Sequence, residues 1–191
     1  MDINKAIKKQ KKSEFRFILF MCFIFFVFPI LLIILKKFSS FFILYLCVVD
    51  FFVIMGIIYK KDSNKLIYSY ALGRLRIKQG LFIRRFNIDC DKIVYVHTEK
   101  MKDGIRIVML SKSKFRNENI KWVNKEVLRR HPYLVKEYNR LKKINPDAEY
   151  YLISIYRGGA IKYKLLMDIY KTCVKAKYSE AAIDNIKCWM I

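Results

Sequence analysis

Residues 17–35 read FILFMCFIFFVFPILLIIL, nineteen positions without a charge, and residues 38–59 read FSSFFILYLCVVDFFVIMGIIY, with one ionisable side chain. At about 1.5 Å per residue, a helix of either length spans a hydrocarbon core of roughly 30 Å. Both stretches are too long for an ordinary core helix. Only Lys36 and Lys37 stand between them, with Ser39 and Ser40 just beyond. So short a link forces the two helices to run antiparallel, and the sequence predicts a transmembrane hairpin over residues 15–60. A basic run precedes the first span, as in a secretion signal. It lacks a small-residue cleavage site, however, and a second span follows at once. An uncleaved anchor is expected.

The flanks set the orientation. Lys5, Lys8, Lys9, Lys11, Lys12 and Arg16 precede the first span, while Lys60, Lys61 and Lys65 follow the second. The positive-inside rule then places both termini in the cytoplasm, with the hairpin as a multi-pass anchor in the cell (inner) membrane. Pro29 removes a backbone donor within the first span and is expected to kink it. Asp50 lies near the middle of the second span, where an ionised carboxylate costs roughly 2.5–3.5 kcal/mol on insertion scales. Its helical neighbours Leu46, Cys47 and Ile54 offer little, and the residues level with it are expected to be about 22–24. Asp50 is therefore a candidate intramembrane interaction residue, facing a second copy or another membrane protein; the alternative is a neutral Asp tucked within the hairpin.

Lys and Arg total 38 against 16 acidic residues, a net charge of +22, and from Lys60 onward there are 30 basic and 13 acidic residues. Such an excess suits a polyanion such as anionic headgroups, nucleic acid or an acidic protein face, or else it is a solvated lysine-rich surface. The five cysteines (Cys22, Cys47, Cys90, Cys173, Cys188) form no CxxC pair and no metal spacing with His97 or His131. An odd count with two cysteines in the apolar spans argues against a disulfide framework.

Behind the hairpin the pattern turns to period two. Residues 66–71, 74–79, 81–87, 92–98 and 104–111 each read as strands, with tight connections at Gly73 and Gly80 and a hairpin turn at Met101-Lys102-Asp103-Gly104. Arg74, Arg76 and Lys78 alternate with Leu75 and Ile77, which gives one wet basic face and one buried face. Ile120, Trp122 and Val123 suggest a further short strand or the entry to a helix. From Asn124 the period becomes helical. Asn145-Pro146 reads as an N-cap with Pro at N1, opening a helix that Gly158-Gly159 ends. A helix over 161–176 would carry Ile161, Leu165, Ile169 and Cys173 as one stripe, and Ser179-Glu180 would open a last one bearing Ile183, Ile186 and Trp189.

These residues carry a likeness. Two spans and a short basic linker lead into YALGRLRIKQGLF (residues 70–82), then Ile88 and DKIVYV (residues 91–96). The order resembles the bacterial PH-like, membrane-flanked domain over about residues 64–123. It departs at Leu72-Gly73-Arg74, where that pattern carries Thr-Asp-Arg, and in the long helical continuation. The resemblance implies a small curved β-sheet or partial barrel closed by a helix, and a scaffolding role beside the membrane with no active site to transfer.

No phosphate-binding loop, GxGxxG, HExxH, GxSxG or kinase motif is present. His97 reads as structural, His131 as a turn residue, and Asp89 with Asp91 as a solvated loop rather than a metal pair. No catalytic residue, metal site or cofactor is expected. The candidate headgroup- or anion-binding residues are Lys60, Lys61, Lys65, Arg74, Arg76, Lys78, Arg84 and Arg85; Arg129-Arg130 and Lys142-Lys143 remain unassigned among lipid, nucleic acid and solvent. The expected chain is an α+β membrane protein in four parts: a basic cytoplasmic N-terminus (1–14), the hairpin (15–60), a PH-like antiparallel β domain (61–123) and a helical C-terminal region (124–191). The expected role is a non-enzymatic, membrane-anchored scaffold or assembly component of a bacterial envelope complex. Its partners would be membrane lipids with anionic headgroups and a second copy or other membrane proteins. The alternative is a membrane-bound nucleic-acid-handling accessory, for example in DNA transfer. An enzyme or transporter centred on Asp50 is a third reading.

Overall fold

The structure is a computed structural model that describes residues 3–35, 39–81, 84–101, 104–114 and 120–190, without the side chains of Arg84, Trp189 and Met190. The Lys36-Lys37 link, the Lys102-Asp103 pair of the expected turn and the first part of the expected 81–87 strand lie outside the described residues, as do the side chains of Arg84 and Trp189.

Two helices open the chain, α1 (Ile3–Ile34) and α2 (Ser40–Asn64), and both are long and apolar enough to cross a membrane. Hardly any of that apolar surface is covered: Phe20, Phe23, Phe26, Leu44, Phe51 and Phe52 are all exposed. A helix from a soluble core would be buried. The less exposed positions of α1 recur at Ile7, Gln10, Glu14, Phe17, Met21 and Ile24, and those of α2 at Leu46, Val49, Val53, Ile57 and Lys60. Spacings of three and four make a single seam, the pattern of a left-handed helix pair. Lys60 Nζ sits 5.9 Å from the Phe17 ring centroid and Asn64 Nδ2 donates to Glu14 Oε2 at 3.0 Å, which fixes an antiparallel register. Carried along the helices, that register brings Asp50 level with about Val27, one turn beyond the expected 22–24. Pro29 lies inside α1.

At about 1.5 Å per residue the 32 residues of α1 reach about 48 Å, well beyond its apolar part. The basic N-terminal stretch is therefore not a separate tail but the first turns of α1.

Strands β1 (Leu66–Ala71), β2 (Arg74–Gln79) and β3 (Arg84–Asp89) form an antiparallel three-stranded sheet. The β1–β2 turn places both Leu72 (φ 51°) and Gly73 (φ 73°) in the left-handed region, as a two-residue hairpin turn requires. A 3-10 turn at Cys90–Lys92 leads to β4 (Ile93–Met101) and β5 (Gly104–Ser111). There follow β6 (Lys121–Trp122), α3 (Lys125–Arg130), α4 (Val135–Ile144), β7 (Tyr151–Ile155), α5 (Ile161–Thr172), β8 (Lys177–Tyr178) and α6 (Glu180–Met190). The second sheet has the order β6-β7-β5-β4-β8, antiparallel except for β4 with β8.

The central strand β5 is apolar on both faces from Ile107 to Leu110, because both faces are covered there. On one side Ile105, Ile107 and Met109 pack with Leu75, Ile77, Phe86 and Ile88 of the small sheet and with Leu165, Leu166 and Ile169 of α5. On the other, Val108 and Leu110 meet Leu134, Leu141, Tyr150 and Leu152 beneath α3 and α4.

The segment after Pro146 corrects the expectation of a helix: residues 151–155 are strand β7, paired antiparallel with β5 from Ile107↔Ile155 to Ser111↔Tyr151. Asn145 ends α4 instead of opening a helix, its N–H bonding Leu141 O, and Pro146 follows as a stop signal. The run YYLISIY is rich in β-formers and fills the open edge of β5, so sheet pairing outweighs the cap signal. The stretch 124–191 is thus not purely helical, and the β5–β7 pairing ties it to the strands before it. Two shorter differences are that β3 starts at Arg84 and that α5 stops at Thr172, short of Ala176.

Candidate functional site

The described residues converge most densely where the hairpin meets the sheets. Helix α2 runs on past Tyr59, and its last turn turns Asp62 inward, 8% exposed. The Asp62 carboxylate serves two elements at once. One oxygen lies 2.5 Å from Arg157 Nη1, in the loop after β7, and the other accepts the Leu81 N–H at 2.6 Å, in the turn after β2. Backbone bonds flank it, with Gly80 N–H donating to Lys65 O at 2.8 Å and Gly158 N–H to Ser63 O at 2.9 Å. Helix α1 joins through Gln10, whose Oε1 accepts the Ala160 N–H at 2.7 Å. Gln79, fully buried, links β2 to the end of β7 by accepting from Tyr156 N–H and donating to Ser154 O.

Glycine is required here on two counts. Gly158 and Gly159 have φ of 109° and 51°, and a Cβ on Gly158 would fall 2.4 Å from Leu66 Cβ. On Gly159 it would fall 2.4 Å from the Gln10 amide. Absent side chains let α1, β1 and the β7–α5 loop touch.

Beside this joint opens a cleft of about 870 Å³, walled by Gln10 of α1, Lys60 and Asp62 of α2, and Arg157, Lys162 and Tyr163 around the start of α5. Lys162 is 1% exposed and its Nζ donates to Tyr156 O at 2.9 Å. Arg157 also lies over the Tyr156 ring, 5.5 Å from its centroid.

Of the residues singled out from sequence, Lys60 alone lines the cleft. Lys61 and Lys65 are exposed near the joint. Arg74, Arg76 and Lys78 form the exposed stripe on β2, alternating with buried Leu75, Ile77 and Gln79. Lys78 is paired with the exposed Arg85 of β3, while Arg74 is paired with Asp89 at the far end. With about 3.3 Å per strand residue, Arg74 lies about 13 Å further from the joint than Lys78. Asp50 sits in the hairpin seam, and its Oδ1 is buried with no hydrogen-bond partner among the described residues. The sequence reading missed Asp62, Arg157, Lys162 and Gln10. One signal was present for Asp62: it is the sole acidic residue in the basic run after Tyr59, YKKDSNK.

A second polar cluster lies on the sheet face away from the joint. His97 Nδ1 is 2.9 Å from Ser179 Oγ, which also caps α6 by accepting Ala182 N–H, and the His97 ring stacks on Tyr133 with centroids 4.2 Å apart. His131 Nδ1 lies 2.7 Å from Tyr133 Oη. Burial holds both imidazoles below their ordinary value of 6.5, partly offset by the Glu99 charge. Glu137 is bound by Arg140 and Lys177; burial pushes its carboxyl up, but those two partners carry it to a net value below the ordinary range. The Cys90 and Cys173 thiols meet beside Thr172; the hydrogen bond between them holds Cys90 down to about 7 and pushes Cys173 up. No group of three or more His, Cys, Asp or Glu suited to a metal ion occurs among the described residues.

No family model, curated protein or solved structure matches the chain.

Two expectations follow from this geometry. Asp62→Ala removes both bonds of a largely buried carboxylate and should cost about 1–3 kcal/mol. Like Gly159→Val, it should free the first turns of α1, read as faster tryptic cleavage at Lys5–Arg16; unchanged cleavage in both variants would show that the joint does not hold α1. The second concerns pH. An imidazole whose folded value is depressed leaves the unfolded chain binding more protons, so stability is lost as pH falls below 6.5. Glu137 weakens the fold only later, as pH falls through the carboxylate range. Urea unfolding in detergent should therefore show a decline between neutral pH and the onset of carboxylate protonation, and His97→Gln should flatten it.

Proposed function

We propose that this protein is a non-enzymatic membrane-anchored scaffold, whose hairpin spans the cell membrane and whose basic sheet domain is held in a set attitude at the cytoplasmic face. The observation that carries this reading is the joint. An anchor needs no more than a linker, whereas here α1 and α2 are both bonded into the domain through Gln10 and Asp62. The uncovered apolar belt of both helices supports insertion, since a patch that large is not left in water. The basic flanks support cytoplasmic termini.

On this reading, Lys60, Lys61, Lys65, Lys78 and Arg85 lie toward the bilayer and anchor to anionic headgroups, at about 1 kcal/mol for each basic residue held near the surface. Arg74 stands about 13 Å beyond Lys78 along the strand, more than the Debye length of about 8 Å at physiological salt, and serves a protein partner instead, with Arg76 between the two at about 7 Å. A PH-like reading of the domain belongs to the same proposal; it draws on the three-stranded meander that continues into the β4–β5 hairpin. The proposed setting is an assembly in a bacterial envelope. Nucleic-acid handling is the weaker alternative, because the positions paired with Arg74, Arg76 and Lys78 on the neighbouring strands are Ile67, Ser69, Ala71, Arg85, Asn87 and Asp89, without an aromatic ring for base stacking.

Two measurements test the proposal. Cys188 is exposed on α6, so an impermeant maleimide should label it only after cells are permeabilised; labelling of intact cells would place the domain outside and sink the reading. Asp50 is assigned to assembly, its partly buried carboxylate receiving a donor from a second copy or another membrane helix. Asp50→Ala should then lower the oligomeric mass in mild detergent, and an unchanged mass would remove that role.

A further inference from the structure

Resting on the membrane-spanning reading of the hairpin, we propose that the cleft at the joint is a site for the phosphate of a single anionic phospholipid taken from the adjoining leaflet. Four observations lead there.

The first is height. Lys60 to Asn64 begin one residue past the end of the apolar stretch of α2 and rise about 7 Å along the helix axis. The polar layer on each side of a bilayer is about 5–7 Å thick. The mouth of the cleft therefore opens among headgroups, while Gln10, seven residues from Phe17, stands about 10 Å above the apolar boundary. A headgroup enters from the side and extends upward.

The second is charge. The lining holds Lys60, Arg157 and Lys162 against the single carboxylate of Asp62, and that carboxylate is already engaged by Arg157. Among the described residues the lining thus carries more cations than carboxylates, and Lys60 is the one that is neither buried nor paired with Asp62, which favours an anion. The third is the character of the remaining wall. Tyr59, Tyr156, Tyr163, Ala6 and Met101 give it apolar bodies with phenol tips, which suits an amphiphile better than a bare ion. The fourth is size, since about 870 Å³ falls within the range of small-ligand sites.

The start of α5 contributes its dipole but not its amides. The N–H groups of Ala160, Ile161, Lys162 and Tyr163 already bond Gln10 Oε1, Gly158 O, Gly159 O and Ala160 O. Recognition falls to side chains. Lys60 is central because it lines the cleft from α2 at headgroup height, its ammonium over the Phe17 ring where the apolar stretch of α1 begins. This site differs from the general attraction of the flanking lysines, which is spread over the surface and holds no particular molecule.

The test uses the full chain in lipid nanodiscs containing equal phosphatidylglycerol and phosphatidylcholine, with bound lipid counted by native mass spectrometry. Wild type should retain one phosphatidylglycerol per chain. Lys60→Gln should bind it about tenfold more weakly, equivalent to about 1.4 kcal/mol. Lys60→Arg should restore it, and Lys171→Gln, exposed at the far end of α5, should match wild type. Equal retention by Lys60→Gln, or retention of both lipids alike, overturns the proposal. So does glycerol phosphate raising the melting temperature as much as the lipid does, since the phosphate would then come from water. Failure of the membrane reading shows separately, as a chain that does not enter the discs.

Discussion

The carboxylate of Asp62 is the point on which the arrangement turns. It sits in the polar last turn of a largely apolar helix, and it is bonded both to the guanidinium of Arg157 and to the backbone of the β2–β3 turn. Breaking a pair of this kind leaves a charge without solvent, so the cost exceeds what a surface ion pair is worth. Around it, glycines let backbones approach where a methyl group would collide. The joint thus behaves as a weld between two bodies of different solvent preference.

That weld changes what the basic residues can do. On the proposed membrane reading, a flexible tether would let every lysine sample the bilayer surface, whereas a domain fixed by both helices would hold the cations near the joint and Arg74 at the far end of β2 in different surroundings. The depth of the sheet domain has a related effect. Since β5 is covered on both faces, its polar partners are displaced to the periphery, where His97, Tyr133 and Ser179 pack against one another and Glu137 gathers two cations.

Much of this was legible in the sequence. The two apolar runs, the alternation of Arg74–Lys78 with Leu75 and Ile77, and the strands at 66–71, 74–79 and 104–111 follow from local pattern, and the structure places them at those residues. The strand β7 was not legible, because Asn145-Pro146 gives the same local signal whether it opens a helix or closes one; the open edge of β5 decides between them. The joint was hidden for a different reason. Gln10 and Ala160 are 150 residues apart, and neither Asp62 nor Arg157 belongs to a motif. Their meaning comes from the other end of the chain, and periodicity carries no information about that. The level of Asp50 shifted by a turn because the helix register depends on the link between the helices, and counting residues cannot supply it.

The central place of β5 has a consequence for biogenesis. One neighbour, β4, is made just before it; the other, β7, leaves the ribosome some forty residues later, and β8, α5 and Arg157 later still. Connections of that sequence separation close slowly. The two helices α1 and α2, by contrast, precede every strand in the chain. Helices α1 and α2 can therefore pair before the sheet closes, while one flank of a nonpolar strand is still open. The stretch from Arg157 to Ala160 is the last piece of the joint to be made, and it finds Asp62 and Gln10 already waiting on α2 and α1.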